Sequence, residues 1–207
     1  MRILGISGSN RKDGNSYLLL KEALKDIPLA EVQIIQIADL KIKPCELCFE
    51  ACAQKPFECV IKDDLRALLE EMKSADGIVI ACPFYFYVPS KMQAFMERTS
   101  CLDYYTEKRH GRKHSPLTGK LCSLIAVSAS GSSFSATQIL HHLQEFSLML
   151  GLQPISATTW PFIGLSAKCG LEKGVVLKEK GTIREAREFI GSLIKDLKMK
   201  ERKGTTK

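Results

Sequence analysis

The stretch Ile3-Leu4-Gly5-Ile6-Ser7-Gly8-Ser9-Asn10-Arg11-Lys12-Asp13-Gly14-Asn15-Ser16 decides how the chain is read. It opens on a short apolar run and leads into Tyr17-Leu18-Leu19-Leu20-Lys21-Glu22-Ala23-Leu24, where apolar residues at 19, 20, 23, 24 and 27 have helical spacing. The stretch is therefore a strand-to-helix turn. A turn rich in Ser, Gly and Asn gathers backbone N–H groups and hydroxyls beside a helix N-terminus, where the helix dipole favours an anion. No Gly-Lys-Ser/Thr follows, so it is not a Walker A loop, and Gly5, Gly8 and Gly14 do not give the G-x-G-x-x-G dinucleotide pattern. Hydroxyls and amides with few cations suit the terminal phosphate of a mononucleotide such as FMN. A plain solvated Ser/Gly turn is the competing reading.

Outward from this turn, the chain alternates strand and helix signals. Residues 32–37 read as a second strand, and residues 45–59 as a loop. Asp63 caps a helix whose Leu65, Leu68, Leu69 and Met72 fall at i, i+3, i+4 and i+7. Residues 77–82 form a third strand that is apolar throughout, as in the buried interior of a parallel sheet. An aromatic turn over 83–89 precedes a helix opened by Ser90, with Met92, Phe95, Met96 and Thr99 along one side. A fourth strand over 121–127, a Ser/Gly turn over 128–133 and a helix to about Leu150 follow. The spacing then predicts a fifth strand over 153–159, an irregular loop over 160–178, and a closing helix capped by Thr182 and Glu185, with Ala186, Phe189, Ile190, Leu193, Ile194 and Leu197 inward.

Five strands alternating with five helices specify an α/β fold, a doubly wound parallel sheet with helices on both faces. The expected organisation is one domain over 1–197 with a cysteine-loop insertion at 44–60, and a basic tail over 198–207 that is disordered. Ligands in such sheets bind beyond the carboxyl ends of the strands. That edge collects four turns: the Ser/Gly cradle, the cysteine loop, the aromatic turn and the second Ser/Gly turn.

The 207 residues are 45% hydrophobic and 26% charged, a composition of soluble globular chains. No apolar run reaches a membrane span, and the polar turn after the first strand is the wrong order for a signal peptide, so a cytoplasmic protein is expected. The net charge of +7 sits in two places, residues 107–120 and the tail from Lys195, while the remainder is slightly acidic. A loop and a tail do not make a nucleic-acid face, although they can attract an anionic cofactor such as NADPH or an acidic electron carrier.

Eight cysteines are many for a compartment in which structural disulfides are rare. Cys82, Cys101, Cys122 and Cys169 are scattered and read as small buried hydrophobes. The other four lie together in Cys45-Glu46-Leu47-Cys48-Phe49-Glu50-Ala51-Cys52-Ala53-Gln54-Lys55-Pro56-Phe57-Glu58-Cys59, a C-x2-C-x3-C-x6-C pattern. Four thiolates this close can wrap one soft-metal centre. The spacing suits a [4Fe-4S] cluster better than paired zinc knuckles, with zinc and ligand-free thiols as the open alternatives. Pro83-Phe84-Tyr85-Phe86-Tyr87 places rings and amides where a flat heterocycle would lie, unless these aromatics pack the core or an oligomer contact. Ala129, Ser130, Gly131 and Ser132 supply a second close backbone approach, suited to a ring edge and equally to a connecting turn.

Taken together, the Ser-Gly-Ser-x-Arg-x-x-Gly-Asn-Ser opening, the compact cysteines before Ile61-Lys62-Asp63-Asp64, the Pro-Phe-Tyr turn and residues 92–98 resemble the NADPH-dependent FMN reductase superfamily, and within it the iron-sulfur flavoproteins. The resemblance covers about residues 1–150, and the cysteine loop is its most specific part. It implies a flavodoxin-like fold, FMN, one [4Fe-4S] cluster, a homodimer or homotetramer, and electron transfer in an anaerobic type of metabolism. By position, Ser7, Ser9, Asn10, Arg11, Asn15 and Ser16 would hold the FMN phosphate, Pro83, Phe84, Tyr85 and Phe86 the ribityl and ring, and Ala129 to Ser132 the ring edge. Cys45, Cys48, Cys52 and Cys59 would ligate iron. The three-residue gap between Cys48 and Cys52 departs from the two residues usual in that motif.

The expectation is an FMN-dependent oxidoreductase passing electrons between FMN and a [4Fe-4S] cluster, with NAD(P)H or a ferredoxin-like protein as electron partner and no catalytic acid or base. One rival is an NAD(P)H-dependent FMN or quinone reductase whose cysteines are structural or bind zinc; another is a flavodoxin-like carrier without its own substrate. The lack of a C-x5-R loop argues against a phosphatase, and the lack of an acidic pair after the first strand against a phospho-receiver.

Overall fold

The structure is a computed structural model that describes residues 1–102, 115–129, 133–157 and 164–204. Strands β1 (Arg2–Ser7), β2 (Glu31–Gln36), β3 (Gly77–Pro83), β4 (Leu121–Ser128), β5 (Gln153–Pro154) and β6 (Leu165–Lys168) form one sheet, paired in parallel throughout. Their order is β2-β1-β3-β4-β5, with β6 also on β4. This is the flavodoxin-like order, in which the chain reverses direction across the sheet between β1 and β3. The crevice at that switch point receives the Ser/Gly cradle from β1 and the aromatic turn from β3.

Alternation along the strands divides the core in two. Leu4, Ile6, Ile78, Ile80, Cys122 and Leu124 face one side, packed by α3 (Leu65–Ser74), α4 (Ser90–Arg98) and α5 (Ser133–Met149). Ile3, Val79, Ala81, Ile125 and Val127 face the other, covered by α1 (Asn15–Ala23) and α6 (Lys180–Gly204). Hydrophobic burial on both faces leaves the loops at the strand ends free to carry chemistry. Among the described residues, no helix is long and apolar enough to cross a membrane.

Four expectations need correction. The fifth strand position is split: β5 pairs only with Leu121 and Cys122, Ser156 and Gly164 form an isolated bridge, and β6 continues along Ile125 to Ser128 of the same β4 edge. The Gln153 and Ile155 amides donate to the Lys120 and Cys122 carbonyls at 2.8 and 2.9 Å, so the Pro154 nitrogen faces the open side of β5, where its missing N–H costs no bond to β4; residues 158–163 lie outside the described residues. The 160–178 segment is thus not irregular throughout, since it holds β6 and a 3-10 turn, Val175–Lys178. Thr182 does not open the last helix, which begins at Lys180, and its Oγ1 donates instead to the Lys168 carbonyl at 3.1 Å. That helix also runs on to Gly204 through the segment expected to be disordered, because Lys, Met, Glu and Arg are strong helix formers and the Lys200 ammonium caps the Gly119 carbonyl.

A further helix, α2 (Phe49–Gln54), forms inside the cysteine loop. Cys48 is its N-cap and the Cys52 amide donates to the Cys48 carbonyl at 3.0 Å. The three-residue gap is therefore an i, i+4 step that puts both thiols on one helical face.

Candidate functional site

Gly14 is the N-cap of α1 and offers no side chain to its first turn. The helix thus enters the crevice with amides available to an anion. A methyl group on Gly14 would lie 3.0 Å from the Arg11 carbonyl oxygen and 3.3 Å from Ser9 Oγ, so the cradle closes around a hydrogen atom. Ser9 Oγ accepts from the Arg11 amide at 3.0 Å and is hydrogen-bonded to the Tyr85 hydroxyl at 3.3 Å, which ties the cradle to the aromatic turn.

Ser9, Arg11, Asn15, Ser16, Pro83, Phe84, Tyr85 and Ala129 line one cleft, as their positions in the sequence lead one to expect. Three residues stand elsewhere. Ser7 is buried at the end of β1. Asn10 reaches across to α4, donating to Ser90 Oγ at 2.9 Å and accepting the Lys91 amide at 3.2 Å, so it caps that helix. Phe86 is the tip of its turn, 85% exposed with a left-handed φ of 60°, and its ring lies 6.5 Å from that of Phe84. Ser130, Gly131 and Ser132 lie outside the described residues.

Asn15 has its polar atoms committed to the chain itself. Its Nδ2 donates to the carbonyls of Cys169, Gly170 and Glu172 at 2.8, 3.3 and 2.9 Å, and its Oδ1 accepts the Gly174 amide at 2.9 Å. Arg11 Nη1 adds a bond to the Leu171 carbonyl at 3.0 Å. Two cradle residues therefore hold Gly170 and Leu171 as the far wall of the cleft. The sequence carried no signal for this wall, because the contacts span more than 150 residues.

The cysteine loop opens at the same sheet edge, and residues flanking it anchor both ends. Asp63 Oδ2 accepts the Lys43 amide at 2.9 Å, Asp64 Oδ2 accepts the Lys41 amide at 2.7 Å, and Asp63 Oδ1 accepts the Leu65 amide at 3.1 Å to cap α3. Burial works against the Asp63 carboxylate, yet hydrogen bonds from Arg98 and from the Lys43 and Leu65 amides hold its pKa below the ordinary value. Arg98 is fully buried and donates to Asp63, to the Lys43 carbonyl at 3.2 Å, to the Ile61 carbonyl at 3.1 Å and to Cys59 Sγ at 3.2 Å. The sequence does carry a trace of Arg98: it falls three residues after Phe95 on the apolar face of an amphipathic helix.

Among the four loop cysteines Cys52 is buried and the others half-buried, and all are free thiols. Burial first, then Cys48, Cys59 and Cys45, push the Cys52 thiol up to about 12. The four thiols are close enough to feel one another, although among the described residues no three such side chains stand at ligating geometry. A donor set of four soft thiols fits an iron-sulfur cluster or zinc and no hard cation. Cys82, Cys101, Cys122 and Cys169 are buried as expected, and burial raises the pKa of each.

Helix α4 joins the two halves of the site. Its first turn is held by Asn10 of the cradle, Lys91 Nζ donates to the Ala38 and Leu40 carbonyls at 2.7 and 3.1 Å, and its last residue, Arg98, holds the cysteine loop. At about 1.5 Å per residue the helix is a rigid strut roughly 14 Å long.

Comparison with known proteins agrees with this geometry. Residues 1–163 match the family model of NADPH-dependent FMN reductase. An iron-sulfur flavoprotein of Methanocaldococcus jannaschii is 35% identical over 142 residues, which cover 67% of this chain and 68% of the relative. Iron-sulfur flavoproteins of Methanosarcina thermophila and Archaeoglobus fulgidus are 32% and 33% identical, with 68% and 74% of this chain and 71% and 75% of theirs aligned. Among solved structures, a flavone reductase aligns with a TM-score of 0.62 at 20% identity over 97% of this chain and 64% of its own. Oxidised flavodoxin 1 of Bacillus cereus aligns with a TM-score of 0.52 at 15% identity over 92% and 98%. At these identities the solved structures speak for the fold alone. The chain belongs to the NADPH-dependent FMN reductase family, among the iron-sulfur flavoproteins, and is an FMN-dependent oxidoreductase.

Proposed function

We propose that the chain passes electrons between FMN in the β1/β3 crevice and a [4Fe-4S] cluster held by Cys45, Cys48, Cys52 and Cys59, with NAD(P)H or a ferredoxin-like protein as the external electron partner. The observation that carries this reading is α4, one rigid helix anchored at one end to the cradle and at the other to the cysteine loop. FMN exchanges electrons in pairs as hydride or singly, and a cluster exchanges them singly, so the two together convert between donors of different kinds.

The chain's residues bind and position. The hydroxyls of Ser9 and Ser16 and the uncapped end of α1 would hold the phosphate, and the Arg11 guanidinium would balance its charge at the rim. Phe84 and Tyr85 would back the ring, with Gly170 and Leu171 as the opposite wall of the cleft. No side chain is required to move a proton. Cys48 and Cys52, one helical step apart, would supply two of the thiolates that hold the metal centre, and Cys45 and Cys59 the other two. The exposed rings of Tyr85, Phe86 and Tyr87 beside the cleft support assembly as a homodimer or homotetramer, which light scattering resolves.

A reductase whose cysteines hold no iron is the second reading, favoured by the lack of a preassembled ligand set among the described residues. Anaerobic purification followed by iron, zinc, acid-labile sulfide and flavin analysis separates the two. About four iron and four sulfide per chain beside one FMN supports the proposal; FMN with zinc or with no metal overturns it.

A further inference from the structure

We infer that Arg98 is a positioning residue for the cluster: it locks the cysteine loop at both flanks and, through its bond to Cys59 Sγ, raises the reduction potential of the centre those cysteines hold. The inference rests on the cluster reading above, in which Arg98 anchors α4 to the cysteine loop, and adds its grip on both flanks of that loop and its effect on the potential of the centre.

The guanidinium has five N–H donors in a fixed fork. Nη1 takes the Lys43 carbonyl and the Asp63 carboxylate, and Nη2 takes the Ile61 carbonyl and Cys59 Sγ. Lys43 stands two residues before Cys45 and Ile61 two residues after Cys59, so one planar group grips both ends of the ligand loop. Nε is buried without a hydrogen-bond partner. Burying this cation with one orphaned donor carries a desolvation cost, which the Asp63 ion pair and the bonds to both flanks of the loop offset. An N–H bond to a ligand sulfur favours the form of the centre carrying more negative charge, which is the reduced one. Asp63 balances the charge of Arg98 but leaves the Sγ bond in place.

Lys cannot reproduce the fork, since its three donors radiate from one atom. Arg98→Lys keeps the positive charge beside Asp63 and loses the simultaneous grip on Ile61 and Cys59. The experiment compares wild type and Arg98→Lys, both reconstituted anaerobically with iron and sulfide, by EPR-monitored redox titration, with FMN affinity and iron content measured on the same samples. The expected result is unchanged FMN affinity and a reduced-to-oxidised cluster ratio lowered about tenfold at fixed ambient potential, which for a one-electron couple is about 59 mV. Failure of Arg98→Lys to retain iron while FMN still binds would equally support the grip on the loop. A variant with wild-type iron content and an unchanged titration curve would overturn the inference while leaving the cluster reading intact. A wild-type chain that takes up no iron would overturn both. Arg98→Met with Asp63→Asn, which removes the ion pair together, serves as a second variant should Arg98→Lys fail to fold; iron content and potential equal to wild type there would also refute the role.

Discussion

Replacing Asn15 by Ala removes the clasp that joins the cradle to the 169–174 segment. The amide has two N–H donors shared among three carbonyls, and Oδ1 accepts the Gly174 amide, so three hydrogen bonds' worth of interaction is lost. At about 1 kcal/mol net each, the expected loss of stability is about 3 kcal/mol. For a chain of this size that lowers Tm by roughly 6–12 °C. Asn15→Asp should be worse than Asn15→Ala, because it keeps the acceptor for Gly174 but sets a carboxylate against three carbonyl oxygens. Denaturant unfolding gives the free energies, and hydrogen exchange locates them: the Gly174 amide should lose protection while the Cys169 amide, bonded to the Ser128 carbonyl at 2.9 Å, keeps it. FMN affinity should fall as well, since Gly170 and Leu171 wall the cleft. An Asn15→Ala variant within about 0.5 kcal/mol of wild type, the range of an ordinary surface change, would refute this account of the clasp.

Gly14→Ala places a methyl group 3.0 Å from the Arg11 carbonyl and should weaken FMN binding about tenfold, or about 1.4 kcal/mol, measured by flavin fluorescence titration. Lys91→Met removes two charge-assisted bonds to Ala38 and Leu40 and should cost about 2 kcal/mol of stability by chemical denaturation. Asp63 has a folded pKa below its unfolded value of about 3.9, so its contribution is present above that pH and is lost as pH falls through the folded value. Asp63→Asn should therefore be destabilised by about 3 kcal/mol near neutrality, with Arg98 left buried and unpaired, and the gap from wild type should narrow below about pH 4 in acid titrations followed by circular dichroism.

Local chemistry made much of the molecule legible before its coordinates. The apolar 77–82 run became a central strand because both faces of a parallel sheet are covered, and the spacing of Leu65, Leu68, Leu69 and Met72 gave α3 its buried side. The Ser/Gly cradle, the aromatic turn and Ala129 were brought to one cleft by the rule that sites form beyond the carboxyl ends of parallel strands. What escaped was long-range or conditional. Asn15 looks like a phosphate ligand until the 169–174 backbone arrives to occupy it. Asn10 looks like part of the same cradle, yet α4 stands near enough to recruit it as a cap. The split fifth strand depends on residues beyond 160 returning to the edge of β4, which no periodicity in 153–159 records. Helix α2 is short enough that its stability comes from Cys52 packing inward rather than from its own propensity.

Anaerobic reductive titration of the reconstituted protein, followed at once by visible absorption and by EPR, decides whether one chain holds both centres, with Cys45→Ser/Cys52→Ser as the comparison. The expected result is about three electrons per wild-type chain, two for the flavin and one for the cluster, and about two for the variant. Two electrons per wild-type chain, with iron absent and the flavin alone bleaching, would contradict it.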